Sequence, residues 1–183
     1  MKRTITVVIC AVIALIACDA GADEAPSGWL IGGSAVTASL KRDDNVVDDT
    51  SIGFKLFSQY KFNSWLGLEG AYYRSGEFQS SATSAGGEEF KLLYQGFMIQ
   101  GIGYIPLPWE EVEFFLKGGY FTFRVDSAIN SSNSGNGSDN GPVIGTGFTV
   151  HILERMHFRT SVDWYDTDKS DFASIELGLE YRF

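Results

Sequence analysis

The feature that most constrains this chain is an alternation of apolar and polar residues with a period of two, repeated along much of its length. In the closing stretch ELGLEYRF, residues 176–183, apolar Leu177, Leu179, Tyr181 and Phe183 alternate with charged residues and glycine. Such alternation puts successive side chains on opposite faces of a β-strand. Beyond residue 22 no segment shows a sustained helical period or an apolar run long enough for a membrane helix. The sequence therefore predicts an all-β fold.

Eight segments carry the strand pattern, and the connections between them alternate in kind. The predicted strands lie at 29–40, 51–62, 65–73, 90–104, 112–125, 142–152, 157–165 and 176–183. Connections after the second, fourth and sixth strands are short, whereas the remaining connections are mostly long and polar. An up-and-down antiparallel sheet would then have tight turns at one end and long loops at the other.

Two of these strands are ambiguous about which face is polar. The first contains Gly32 and Gly33, and the pattern does not assign its faces. The fourth is apolar on both faces. For that strand we expect one face to contain Leu92, Tyr94, Met98, Ile102 and Tyr104.

The start of the chain has the features of an export sequence. Lys2 and Arg3 precede an apolar run, and small residues follow it up to Ala22, as in a secretory signal peptide. The alternative is lipidation at Cys18, which ends the lipobox-like sequence LIAC. The predicted organisation is a signal peptide at 1–22, an unstructured leader at 23–27 and one folded domain at 28–183.

Composition argues against several classes of protein. The cysteines, Cys10 and Cys18, both lie in the export sequence, so the exported domain has no disulfide framework and no thiolate metal site. The formal net charge of −9 argues against a nucleic-acid partner. The two histidines, His151 and His157, flank a predicted short turn and are interpreted as interior or rim residues. We therefore expect no catalytic residue, no cofactor and no metal site.

Alternation alone does not say whether the apolar face is buried, as in a soluble lipocalin-like carrier, or faces lipid, as in a membrane barrel. Four features favour lipid. The opposite face is rich in glycine and alanine, which suit a crowded eight-stranded lumen, and its charges nearly balance, as charges shut away from water must. Aromatic residues cluster near strand ends, as at bilayer interfaces, and the long connections share one end. The predicted fold is an eight-stranded antiparallel up-and-down transmembrane β-barrel.

The chain resembles the small eight-stranded outer-membrane barrels of Gram-negative bacteria, of the OmpA-type transmembrane-domain and porin-family kind. The resemblance covers residues 28–183 and rests on the order and spacing of YKFNSWLGLEGAYY, GPVIGTGF, FRTSVDWYD and ELGLEYRF. It implies an integral protein of the outer membrane, in contact with lipid and lipopolysaccharide. A last strand ending in phenylalanine is similar to the signal that the barrel-assembly machinery recognises in that family. The resemblance thus gives Tyr181 and Phe183 the role of an assembly signal.

The charged residues on the predicted inward face form the best-defined candidate site. Counting back from the connection near Asp168 sets Ser161 opposite Glu176, which makes Arg159 and Glu176 diagonal neighbours within reach of each other. Such a network would either plug the lumen and limit conduction or merely pack the interior. The hypothesised members are Glu69, Lys117, Arg159 and Glu176.

The function predicted from these features is a structural or surface-interaction role in the outer membrane, without enzyme activity. An open diffusion pore is disfavoured because eight strands leave no wide channel. The main competing function is that of an adhesin or host-interaction protein acting through predicted loops at 74–89 and 126–141. An outer-membrane enzyme and a soluble lipocalin-like carrier are less favoured. The barrel is expected to be a monomer whose loops can meet an extracellular ligand.

Overall fold

The computed structural model describes residues 27–40, 49–76, 78–81, 89–105, 107–108, 111–129, 132–167 and 172–183. The predicted signal peptide, Cys18 and most of the leader lie outside these residues. Within them the regular elements are all β-strands. A search of the same residues finds no helix with the length and apolar character needed to cross a membrane.

The described residues form nine strand segments, and their sequences are rich in the aromatic and β-branched residues that strands favour. The segments are β1 (Gly28–Leu40), β2 (Asp49–Lys61), β3 (Leu66–Arg74), β4 (Phe78–Ser81), β5 (Glu89–Ile105), β6 (Val112–Ile129), β7 (Ser132–His151), β8 (Met156–Tyr165) and β9 (Phe172–Arg182). Between β2 and β3 the Asn63 Oδ1 atom accepts hydrogen bonds from the backbone N–H groups of Trp65 and Leu66, at 3.0 Å and 2.8 Å. Such a side-chain cap fixes a tight turn.

The strands close into a barrel. Apart from β3 and β4, neighbours along the chain pair antiparallel, and β1 pairs with β9 to complete the wall. Both β3 and β4 pair with β5, so these two segments form a single wall strand that is interrupted after Arg74. The prediction of an eight-stranded, antiparallel, up-and-down barrel is confirmed.

The two ends of the barrel differ. Ser27 and Phe183 lie at the same end as the short β2–β3 and β7–β8 connections, which span 62–65 and 152–155. Three of the connections at the opposite end are longer, at 41–48, 82–88 and 166–171. The asymmetry is the one expected of an outer-membrane barrel, whose long connections lie outside the cell.

One predicted loop is wrong. The polar pattern predicts a loop at 126–141, yet β6 continues to Ile129 and β7 already begins at Ser132. These residues pair with each other in register, with a bulge at Ser127/Ala128. Only residues from Val143 onward in β7 also pair with β8, so the distal part of the β6–β7 hairpin projects beyond the wall that β8 and β9 complete. The second predicted loop, at 74–89, is shortened at its start by β4.

The apolar face points outward, as predicted. Ile52, Trp164 and Leu177 have 75%, 48% and 53% of their surface exposed, whereas Lys55 and Asp163 are fully buried. A water-soluble protein buries its apolar residues and exposes its charges, so this is the reverse of a soluble carrier. The lipocalin-like fold is therefore wrong.

The structure shows which face of each of the two ambiguous strands points into the lumen. In β5 the described members of the expected set share one face, and that face is the lumen, whereas Phe97 is 70% exposed on the outside. In β1 the lumen receives Leu30, Ser34, Val36 and Ala38. Both strands thus place an apolar face inside the barrel as well as outside, which is why alternation could not separate their faces.

Candidate functional site

All four of the residues hypothesised to form the interior network lie in the lumen. The Arg159 guanidinium is 2.7 Å from Glu69 Oε2, and Lys117 Nζ is 3.4 Å from Glu176 Oε2. Each of the four is at most 4% exposed. At that burial a charge is tolerated only if partners of opposite sign surround it.

Two further residues complete this charged layer. Lys55 Nζ lies 2.8 Å from Glu69 Oε1 and 3.3 Å from Glu176 Oε2, and Lys117 Nζ lies 2.8 Å from Asp163 Oδ2. We define the charged layer as Lys55, Glu69, Lys117, Arg159, Asp163 and Glu176. It contains three cations and three carboxylates, and a fourth carboxylate, that of Glu180, lies 3.5 Å from the Arg159 guanidinium, so the inward charges nearly balance at this level.

The contacts of Arg159 differ from the sequence expectation. The register is as predicted, because Ser161 pairs with Glu176. Arg159, however, reaches Glu69 across the lumen and Glu180 on the adjacent strand, at 2.7 Å and 3.5 Å. Glu176 is instead held by the two lysines and by Ser161 Oγ, which donates to it at 3.1 Å. Distances across the lumen depend on how the barrel closes. The register of one hairpin carries no information about that closure.

Two aromatic rings enclose the Arg159 guanidinium. Its central carbon lies 4.7 Å from the ring centroid of Phe57 and 4.6 Å from that of Phe115. Cation–π contacts of this kind are worth most where water is excluded. Phe57, which interrupts the polar face of β2 in the sequence, therefore has a place in the network.

An aromatic layer lies between the charged layer and the end with the long connections. Further along the inward faces of β3, β6 and β8, beyond Glu69, Lys117 and Asp163, lie aromatic residues whose rings contact one another with centroids 4.6–5.8 Å apart. We define the aromatic layer as Tyr73, Phe121, Phe123 and Tyr165, each at most 1% exposed. Sequence reasoning missed it because inward aromatics on β3 and β6 look the same as lipid-facing ones.

The histidines lie at the rim with the short turns, as interpreted from the sequence. The rings of His151 and His157 are 4.4 Å apart. His157 Nδ1 is 3.4 Å from Glu180 Oε1, and His151 Nε2 is 3.6 Å from Glu113 Oε2. In the described part of the chain, no group of three or more histidine or acidic side chains is arranged to hold a metal ion.

Inward glycines make room for the charged layer. A Cβ atom at Gly145 would collide with the Asp163 carboxylate and lie 2.9 Å from Lys117 Cε. A Cβ atom at Gly147 would lie 2.7 Å from both Phe115 Cζ and Ser161 Cβ. The small residues that the sequence places on the polar face thus leave the space that the long charged side chains fill.

The two residues of the proposed assembly signal lie on the outer surface at the closing seam. Tyr181 and Phe183 are 38% and 69% exposed, and their rings are 5.3 Å apart. The Phe183 N–H donates to the Trp29 carbonyl at 3.1 Å, which joins the end of the chain to the start of β1.

A closed barrel with an apolar outer wall and a charged, packed lumen defines an integral outer-membrane β-barrel protein. Residues 8–183 match the family described as outer membrane protein beta-barrel domain, and the chain belongs to that family. Its location is the Gram-negative outer membrane. No protein in a search of curated proteins matches the sequence.

The chain shares its fold with solved structures that are remote from it in sequence. The chain is similar to Ail, the attachment invasion locus protein of Yersinia pestis, with 18% identity and a TM-score of 0.64 over 86% of this chain and 99% of that one. For Neisserial surface protein A the identity is 14% and the TM-score 0.68, over 86% and 98%. For OprG from Pseudomonas aeruginosa they are 15% and 0.59, over 90% and 99%. At these identities the likeness establishes the fold alone.

Proposed function

We propose that this protein is a monomeric, non-conducting outer-membrane barrel whose role lies at the cell surface, with its lumen closed by the charged layer and the aromatic layer in series. The observation that carries the proposal is the complete burial of Lys55, Glu69 and Asp163 at mid-barrel. A water-filled pore would leave these side chains accessible.

The same burial argues against an enzyme in the lumen. A catalytic acid or base must come within hydrogen-bond reach of its substrate. The carboxylates of the charged layer are each engaged by buried cations, and neither layer leaves an approach for a substrate.

Single-channel conductance tests the closed lumen. Because the two layers lie in series, we expect no steady conductance from the wild-type protein, from Arg159→Ala, or from Phe121→Ala combined with Phe123→Ala. The triple variant, which opens both layers, should conduct. Phe97→Ala removes a ring of the same size from the outer wall, where Phe97 is 70% exposed, and should stay closed as the control.

Two results would contradict the proposal that these two layers close the lumen. A wild-type protein with a steady open channel would show that the lumen is not sealed. A triple variant that is folded but still closed would reduce the charged layer to a packing role.

The second candidate function is adhesion through the extracellular connections, and the projecting β6–β7 hairpin favours it. In that hairpin β6 stays paired with β5 up to Ile129, whereas β7 pairs with β8 only from Val143 onward, so the earlier part of β7 extends beyond β8. The Ail structure contains a heparin analogue, sucrose octasulfate. The net charge of −9 makes such a polyanion a poor electrostatic match here, so a neutral or cationic surface ligand is the better expectation.

A shortened hairpin tests the adhesin role. Asp126 and Asn136 face each other in the ladder, so replacing 127–135 with Asn-Gly should close a two-residue turn. The change removes the β6 partners of β5 residues 90–92 and keeps the β5–β6 pairs from Leu93 to the opposite end of the barrel. We expect the variant to fold and to lose surface binding to host cells or matrix. If the folded variant bound as well as the wild type, the hairpin would not be the binding surface.

A further inference from the structure

Two arginines project from the outer wall at the same level. Arg74, at the end of β3, pairs with Gln95 of β5, and Gln95 pairs with Arg124 of β6. Both arginines are exposed. Two neighbouring inter-strand spacings separate their backbones by about 10 Å, so both guanidinium groups can reach one headgroup.

Within the described residues, neither guanidinium has a carboxylate partner. The nearby carboxylate of Asp126 instead accepts a hydrogen bond from Gln95 Nε2 at 3.2 Å, and the Tyr72 hydroxyl donates to Gln95 Oε1 at 3.4 Å. Gln95 is therefore held between the two arginines, while both positive charges stay available.

The arginines lie just beyond the aromatic part of the lipid-facing wall, toward the end with the long connections. Tyr72 precedes Arg74 on the same face of β3, and its ring lies 5.3 Å from that of Phe97. An arginine on the lipid face costs little near the interface and much more at the bilayer midplane. This level corresponds to the headgroups of the outer leaflet.

Two largely apolar depressions lie in the wall near Arg74. One of about 350 Å³ lies beside Arg74 and is lined by Ile52, Phe54 and Leu93. Another of about 500 Å³ lies toward the bilayer centre, over Gly70, between Leu56, Tyr72 and Ile99. A Cβ atom at Gly70 would meet nothing within 4 Å, so the space is open to an acyl chain.

We propose that this face of the barrel binds one phosphorylated glycolipid of the outer leaflet, the lipid A part of lipopolysaccharide. Arg74 and Arg124 hold a sugar phosphate through charge-assisted hydrogen bonds, the strongest recognition that guanidinium groups offer a phosphate. Acyl chains occupy the depressions beside Arg74 and over Gly70. The site requires the outer-membrane location and is independent of whether the lumen conducts.

Native mass spectrometry of the purified full-length protein with added lipid A tests the site. Arg74→Gln combined with Arg124→Gln should weaken lipid A binding roughly tenfold or more, because hydrogen bonds to charged groups each contribute on this scale. Gly70→Leu, which fills a depression and leaves both arginines, should weaken it as well. Arg155→Gln, which removes an exposed arginine from the opposite rim, should leave binding unchanged.

Comparison lipids separate phosphate recognition from general lipid contact. Dephosphorylated lipid A and phosphatidylglycerol should bind the wild-type protein more weakly than lipid A. Folding of each variant is checked by its heat-modifiable mobility on gels. Wild-type-like lipid A binding by the folded double arginine variant would overturn the proposal, as would equal binding of either comparison lipid. A conducting wild-type barrel would overturn the proposed closed lumen and leave this site standing.

Discussion

At the scale of single residues, the lumen is organised by pairs in which a small residue faces a large charged one. Gly145 pairs with Asp163, and Lys117 pairs with Gly145 on the other side. The charged side chains therefore extend over glycine, where a Cβ atom would occupy their space. This complementarity explains why glycine alternates with charge on the same face of the sequence.

Replacing Gly145 by valine should destabilise the barrel, because the new side chain would overlap the Asp163 carboxylate. Overpacking of this kind costs about 1–3 kcal/mol or more. Gly118, its neighbour on the outer face, is the matched control, since a Cβ atom there comes no closer than 3.9 Å to the Val143 carbonyl. Urea unfolding in detergent should show the loss for Gly145→Val and little change for Gly118→Val. Equal losses would contradict the packed lumen.

Replacing Lys117 by methionine should leave three buried carboxylates in the charged layer against two cations, with Lys55 as the remaining lysine beside Asp163 and Glu176. Breaking a buried ion pair from one side costs about 3–5 kcal/mol. Lys61→Met is the control, because the Lys61–Glu113 pair at the rim, at 2.6 Å, leaves Glu113 29% exposed to water. The free energy of unfolding should fall further for Lys117→Met than for Lys61→Met, and the reverse order would refute the ranking of the two sites.

At the scale of elements, prediction succeeded wherever charge marked the lumen face. Lys55 in β2, Glu69 in β3 and Asp163 in β8 each identify the inward side of a strand whose other side is apolar. In β5 the inward Met98 and the outward Phe97 are both apolar, so periodicity could not separate them. The β6–β7 extension was missed because its asparagine, serine and glycine residues have low strand propensity. The extension forms because the backbone hydrogen bonds between β6 and β7 continue outward from the barrel wall.

The last strand carries a prediction about assembly. If Tyr181 and Phe183 form the assembly signal, Phe183→Ala should lower the folded fraction in outer membranes of cells. The same variant should refold in detergent almost as well as wild type, because Phe183 is 69% exposed and contributes little packing. Leu153→Ala, at an exposed residue of the nearby turn, is the control and should assemble normally. A normal folded fraction for Phe183→Ala would remove the assigned role.

At the scale of the whole molecule, one arrangement explains both surfaces of the wall. Lipid solvates the apolar outer face, and ion pairs within the charged layer hold the buried charges of the inner face. Barrel closure leaves no sheet edge exposed in the bilayer. The eight-strand count, the direction of the faces and the outer-membrane location follow from sequence pattern and resemblance. The cross-lumen partners do not, because they depend on curvature that no single strand encodes.

Spin-label accessibility along β9 tests the lipid-facing wall and the closed lumen most directly. Residues 23–183 contain no cysteine, so single cysteines can be labelled at Ile175 and Leu177, which are each 53% exposed, and at Ser174, which is 1% exposed. We predict that in lipid bilayers the labels at Ile175 and Leu177 are accessible to oxygen and shielded from a water-soluble nickel reagent, whereas the label at Ser174 is shielded from both. Strong access of the nickel reagent to Ser174, or exclusion of oxygen from Leu177, would contradict a lipid-facing wall around a closed lumen.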